Sequence, residues 1–196
     1  MEDSLIRVVS YRAKIPNDGV VINATSHSAN WSKGLSPFFL GPIKLYGDYN
    51  AKVFENAYQY CKVYPQYTEN GEPTDEYYKW AVSGWDNPKA VRFPMGRAAR
   101  PLYSIWDGEK LDYISARKKI YCPLYADAVQ KTPAWEELVT TFENCCLQDI
   151  KLYIRDFDGY DNYKLKLTYK DILNNPNKKM GHAFVLAMLL DECIEW

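Results

Sequence analysis

The sequence predicts an α+β fold, predominantly helical, with small β elements and a buried C-terminal helix. Three observations support it. Residues 181–195, GHAFVLAMLLDECIE, are apolar on nearly every side, as a helix enclosed by the rest of the chain would be. Other stretches space their apolar residues at helical intervals. The β-leaning pieces are short, rich in Val and Ile, and bounded by turn formers. With 196 residues, 47% of them hydrophobic, the chain is long enough for one domain over residues 1–196 with a sizeable core. No internal repeat, low-complexity tract or linker divides it.

Taken in order, residues 5–10 and 19–23 read as strands. A polar loop follows, NATSHSANWSKGLSP, full of Ser, Asn and Gly. A short strand over 43–46 closes in a Gly-Asp turn. Residues 53–65, VFENAYQYCKVYP, read as a helix whose buried face is Phe54, Ala57, Tyr58 and Cys61, ending before Pro65. After a loop over 65–75, a second helix covers 76–83. Residues 91–106 are turn-rich and contain Arg92, Arg97 and Arg100. A helix over 111–121 is expected to break at Pro123. Thr132 and Pro133 form an N-cap and first-turn pair for a helix with Trp135, Leu138, Val139 and Phe142 on its apolar face. KLYIRD alternates as a strand, DFDGYD supplies a turn, and KLKLT alternates again, which suggests a hairpin.

Composition excludes several function classes. The formal net charge of −1 gives no global basic field for nucleic acid. Only two His are present, and no C-x-x-C occurs among the five Cys, so no metal site is expected. The odd cysteine number suits reduced thiols and a cytoplasmic location. No P-loop, dinucleotide-binding glycine fingerprint or G-x-S-x-G elbow is present, and no cofactor is expected. The N-terminus lacks the apolar region of a signal peptide, and the longest apolar run is too short to span a bilayer. Seventeen Tyr and six Trp suit either a bulky core or a pocket for a planar ligand.

Beside the buried face of the 53–65 helix run Glu55, Gln59 and Lys62, at i, i+4 and i+7. Such a stripe is either a solvated edge or the wall of a site. Four segments in order bear on the choice. VVINATSHSANWSKGLSPFFLGPIKLYGD joins a strand, a Ser-rich loop and a P-I-x-x-x-G strand. VFENAYQYCK parallels the pattern S-E-H-x-x-Q-x-x-K. MGRAARPLYSIWDGEKLDYISARKKIYCPL parallels M-G-R, a following Trp and a helix pattern A-x-R-x-K. NKKMGHAFVLAMLLDE parallels N-x-L-G-x-x-L-M-x-x-R.

With these segments the chain, over about residues 20–192, resembles the NADAR superfamily, also called YbiA-like. The resemblance makes residues 1–19 an N-terminal extension and 162–177 an insertion. It departs from the family at Phe54 and Asn56, where the pattern has Ser and His. DFDGYD replaces a Trp-Gly turn, and the Asn of the closing motif falls on Lys178, with Asn177 one place off.

The resemblance implies cleavage of an N-glycosidic bond in a ribosylated small molecule, including early riboflavin-pathway intermediates, or removal of ADP-ribose from guanine in DNA. The partner is then a nucleotide-sugar small molecule or ADP-ribosylated nucleic acid, with no membrane involved. Such chemistry needs a proton for the leaving base, stabilisation of the sugar, and a grip on the phosphates. Glu55 is the candidate acid/base. Lys62, roughly 10 Å further along the expected helix, is the candidate Schiff-base amine. Asp158 in DFDGYD is a candidate for positioning the sugar or water. Arg97 suits a phosphate and Trp106 a stacked base. Gln59, Asn56, Asn23, Ser26, His27, Phe38, Asn177 and Gly181 complete the expected substrate contacts. His182, at the start of the buried helix, reads as structural. The alternative is a non-catalytic module that sequesters an ADP-ribose-like nucleotide, a reading to which Asn56 in place of His points.

Overall fold

The structure, a computed structural model, describes residues 4–194 and 196. Helices and strands are mixed along the chain, an α+β fold. The first half contains β1 (Ile6–Ser10), β2 (Gly19–Asn23), β3 (Ile43–Lys44), β4 (Asn50–Ala51), α1 (Phe54–Gln59), β5 (Lys62–Val63), β6 (Thr68–Glu69), β7 (Glu72–Pro73) and α2 (Asp75–Trp85). The second contains β8 (Tyr103–Trp106), β9 (Glu109–Leu111), α3 (Tyr113–Ala116), α4 (Cys122–Val129), α5 (Pro133–Gln148), β10 (Lys151–Asp156), α6 (Tyr169–Leu173) and α7 (His182–Leu190). Two compact units form, one from Met1–Ser36 with Tyr125–Trp196, the other from Pro37–Leu124.

In the first unit, β10 lies between β1 and β2 and pairs with both in parallel. Ile154 aligns with Val8 on one side and Ile22 on the other. Leu152, Tyr153 and Ile154 are consecutively buried, as befits a parallel strand covered on both faces. The hairpin expected from KLKLT does not form. Both edges of β10 are already paired, and the chain turns instead, with Leu167 N–H donating to Asn162 O at 2.9 Å. α7 packs on β1 and β10, and its residues from His182 to Leu189 are buried. α5 starts at Thr132, whose hydroxyl accepts the Trp135 N–H at 3.1 Å, and stops at Asp149 in the left-handed region, φ 53°.

In the second unit, β8 pairs antiparallel with β5 and β9. α1 is shorter than its periodicity predicts. From Cys61 on, backbone groups turn to β8: Ile105 N–H donates to Cys61 O and Leu102 N–H to Val63 O, each at 2.8 Å. Lys62 therefore sits on a strand, not on the helix. The break expected at Pro123 is absent. α3 continues through a π-helical turn, Arg117–Tyr121, into α4. The proline cannot donate to the carbonyl four residues back, and the widened turn just before it absorbs that loss. Much of the aromatic content forms core. Tyr60 and Tyr67 lie 4.6 and 5.0 Å from Trp80, and the buried Tyr77 hydroxyl donates to Cys61 O at 3.0 Å. Among the described residues, no helix is long and apolar enough to cross a membrane.

Candidate functional site

The second unit carries Phe38, Glu55, Asn56, Gln59, Lys62, Arg97 and Trp106; the first carries Asn23, Ser26, His27, Asp158, Asn177 and Gly181.

Glu55, Gln59 and Lys62 are brought together. The Lys62 Nζ donates to Gln59 Oε1 at 2.7 Å, and Gln59 Nε2 donates to Glu55 Oε1 at 2.9 Å. The α1 turn sets Glu55 and Gln59 on one face, and the strand pairing of β5 aims Lys62 back at Gln59. Glu55 is buried, 7% exposed, while Gln59 and Lys62 are half-buried. The stripe is thus one hydrogen-bonded chain leading from an accessible amine to an enclosed carboxylate. Lys62 Nζ also lies 4.5 Å from the centre of the Tyr58 ring.

Register adds Trp106. Lys62 pairs with Ser104, so Trp106, two residues on, faces the same side of the sheet as Lys62. Its half-buried ring meets Tyr46 edge-on at 4.9 Å. Asn56 is fully buried, and its amide is engaged with its own unit: Nδ2 donates to Asn87 O and Lys89 O, both at 2.9 Å, and Oδ1 accepts from Val91 N–H at 2.8 Å. It fixes the start of the arginine-containing loop. Arg97 is exposed on that loop, its guanidinium 5.6 Å from the Phe93 ring. Phe38 is half-buried.

Arg117 was not singled out from the sequence. It is 2% exposed, with its guanidinium 4.7 Å from the Tyr113 ring. Burial pushes the Tyr58 phenol up, and the Arg117 charge acts against it. The signal available for it was the SARKK segment, residues 115–119. Burial pushes the Cys61 thiol up, and that of Cys122 to about 12.

In the first unit a buried pair forms that the sequence underrated. Asp156 is 3% exposed, and its Oδ2 lies 3.1 Å from His182 Nδ1. His182 Nε2 lies 2.8 Å from Ala24 O. Both ring nitrogens face oxygen atoms, a carboxylate on one side and a backbone carbonyl on the other. Burial pushes the Asp156 carboxyl up. It is outweighed by the charge and hydrogen bond of His182 and by the N–H groups of Ala183 and Asp158, which hold the carboxyl down at about 2. A Cβ at Gly181 would strike Asp156 Oδ2, so Gly181 lets the carboxylate reach the α7 N-terminus.

Asp158 is half-buried, with its N–H donating to Asp156 Oδ1 at 3.3 Å. Asn23 Oδ1 accepts from the Thr25 N–H and hydroxyl at 3.1 and 2.8 Å. Ser26 is half-buried, His27 exposed on the same loop, and Asn177 exposed with its N–H donating to Asn175 Oδ1 at 2.9 Å. Among the described residues, no three His, Cys, Asp or Glu side chains cluster as metal ligands would.

Comparison with protein-family models, curated proteins and solved structures finds no match for the chain.

Proposed function

We propose that the chain is a NADAR-like N-glycosidase acting on an ADP-ribosyl or ribosyl-phosphate substrate. The Lys62–Gln59–Glu55 chain is the observation that supports it most. In this reading Lys62 adds to the sugar C1 as the free amine. The C1–N bond breaks, and the base leaves with a proton from Glu55. The ring opens to an iminium on Lys62, which water hydrolyses to the free sugar and the amine. Gln59 holds the two groups in mutual reach, Trp106 offers a face for the departing base, and Arg97 a charge for phosphate. The reading includes a predominantly helical YbiA-like fold and a cytoplasmic location.

A second reading, a module that holds an ADP-ribose-like nucleotide without cleaving it, is favoured by Asn56. Where the family pattern has His, this chain has an amide bound to three backbone groups of a neighbouring loop.

Incubation with guanine-linked ADP-ribosyl DNA, and separately with ribosylated pyrimidine phosphates, in the presence of borohydride separates the two. Released base with an adduct on Lys62 by mass spectrometry is the expected outcome, abolished in Glu55→Gln. Released base without an adduct removes the Schiff base and keeps the glycosidase. Saturable thermal stabilisation without product selects the binding module.

A further inference from the structure

Three rings stand at the C-terminal edge of the parallel sheet. Tyr11 follows β1, Phe157 follows β10, and His27 lies on the loop after β2. Since the three strands run parallel, these ends share one edge. Phe157 lies 5.0 Å from both Tyr11 and His27, which are 5.9 Å apart, centroid to centroid. Phe157 is 39% exposed, His27 is exposed and Tyr11 half-buried, so the cluster faces water rather than core.

Both backbones that present the rings are fixed from behind. Asp156, just before Phe157, is tied to His182, Ala183 and Asp158. Its carbonyl accepts the Tyr11 N–H at 2.8 Å and the Gly159 N–H at 3.2 Å. A Cβ at Gly159 would strike Val9 O, so the turn lies flat on β1. On the other side, Thr25 bonds to Asn23, the Thr25 hydroxyl accepts the His27 N–H at 3.3 Å, and Ser28, Asn30 and Ser32 bond one another. Buried polar bonds thus hold the frame while the rings remain outside, as in a preorganised contact surface.

The surface sets the size of what fits. In sequence each ring is flanked by polar residues, Ser10 and Arg12, Ser26 and Ser28, Asp156 and Asp158. The three ring centroids lie within 5.9 Å of one another, a span that matches one flat ring. The carboxyl edge of parallel strands is where ligands seat in open α/β sheets. The geometry points to a binding site for a single nucleobase on Tyr11, His27 and Phe157. Tyr11 and Phe157 supply stacking, and the exposed imidazole supplies a hydrogen bond to the heteroatoms of the base edge. The site lies on the unit without the Glu55 chain and does not depend on the glycosidase reading.

The chain has two histidines, one exposed and one buried. The His27 Cε1–H resonance is therefore assigned with a His27→Gln variant. The intact protein is titrated with AMP, GMP, CMP and UMP, and with ribose 5-phosphate as the ring-free control. The expected result is a saturable His27 shift with at least one nucleotide and none with ribose 5-phosphate. Affinity falls about tenfold in Phe157→Ala, the scale of one lost base stack, and is kept in Phe157→Tyr. An unchanged His182 resonance verifies the fold of each variant. No shift with any nucleotide at millimolar concentration, an equal shift with ribose 5-phosphate, or undiminished affinity in Phe157→Ala overturns the site.

Discussion

Gly84, in the last turn of α2, sits where alanine would ordinarily stabilise a helix by about 1 kcal/mol. Here a Cβ would enter the Tyr60 ring, which also meets Trp80 at 4.6 Å. The overlap is with ring carbons of a buried side chain rather than with a flexible side-chain end, so overpacking outweighs propensity. Gly84→Ala is expected to destabilise by about 1–3 kcal/mol, read as a lower urea midpoint at unchanged slope; a higher midpoint would show that the ring yields. Contacts of this kind are invisible in the sequence, because Gly84 and Tyr60 belong to no shared period. Glu55 and Gln59 were legible for the opposite reason, since their i, i+4 spacing on α1 specifies their meeting, whereas Lys62 joins them from β5. Asp156 was not. In DFDGYD three aspartates look alike, and only the long-range approach of His182 distinguishes the buried one.

Among the elements, α5 was legible at its start and not at its end. Thr132 and Pro133 announced the first turn. No glycine announced the last, because Asp149 adopts the left-handed conformation that glycine accepts at least cost. Thr132→Ala is expected to cost about 1 kcal/mol. Asp149→Gly is expected to stabilise by about 0.5–1 kcal/mol. It relieves the left-handed strain and removes a carboxylate from the negative end of the helix, against a smaller gain in unfolded-state freedom. Thermal melts of the two variants should move in opposite directions, and a lower melting temperature for Asp149→Gly would contradict the cap assignment. Elements that depend on distant partners were misread. α1 gave up Lys62 to a strand because β8, some forty residues later, offered its backbone. KLKLT lost its hairpin because β1 and β2, far earlier, had already taken both edges of β10. Periodicity reports what a segment can do alone, and pairing decides among those options.

At the scale of the whole chain, the α+β class followed from composition and patterning, while the parallel pairing of β10 with two N-terminal strands did not, because nothing local encodes it. The Asp156–His182 pair joins those distant parts: β10 supplies the carboxylate, α7 the imidazole, and the loop after β2 the Ala24 carbonyl. Its pH dependence has a definite sign. The Asp156 carboxyl is held at about 2, below the ordinary aspartate value of about 3.9. A carboxylate depressed in the folded state stabilises fully above its unfolded value, and that stability is lost as pH falls through the folded value. The window therefore runs from about pH 4 down to about 2. Asp156→Asn keeps the shape, removes the charge, and leaves the buried imidazole without its counter-ion, a loss of about 3 kcal/mol at neutral pH. Urea unfolding across the acid range should show the two proteins far apart at pH 7, and converging as pH drops below 4. A gap that stays constant down to pH 2 would mean that the pair contributes shape alone.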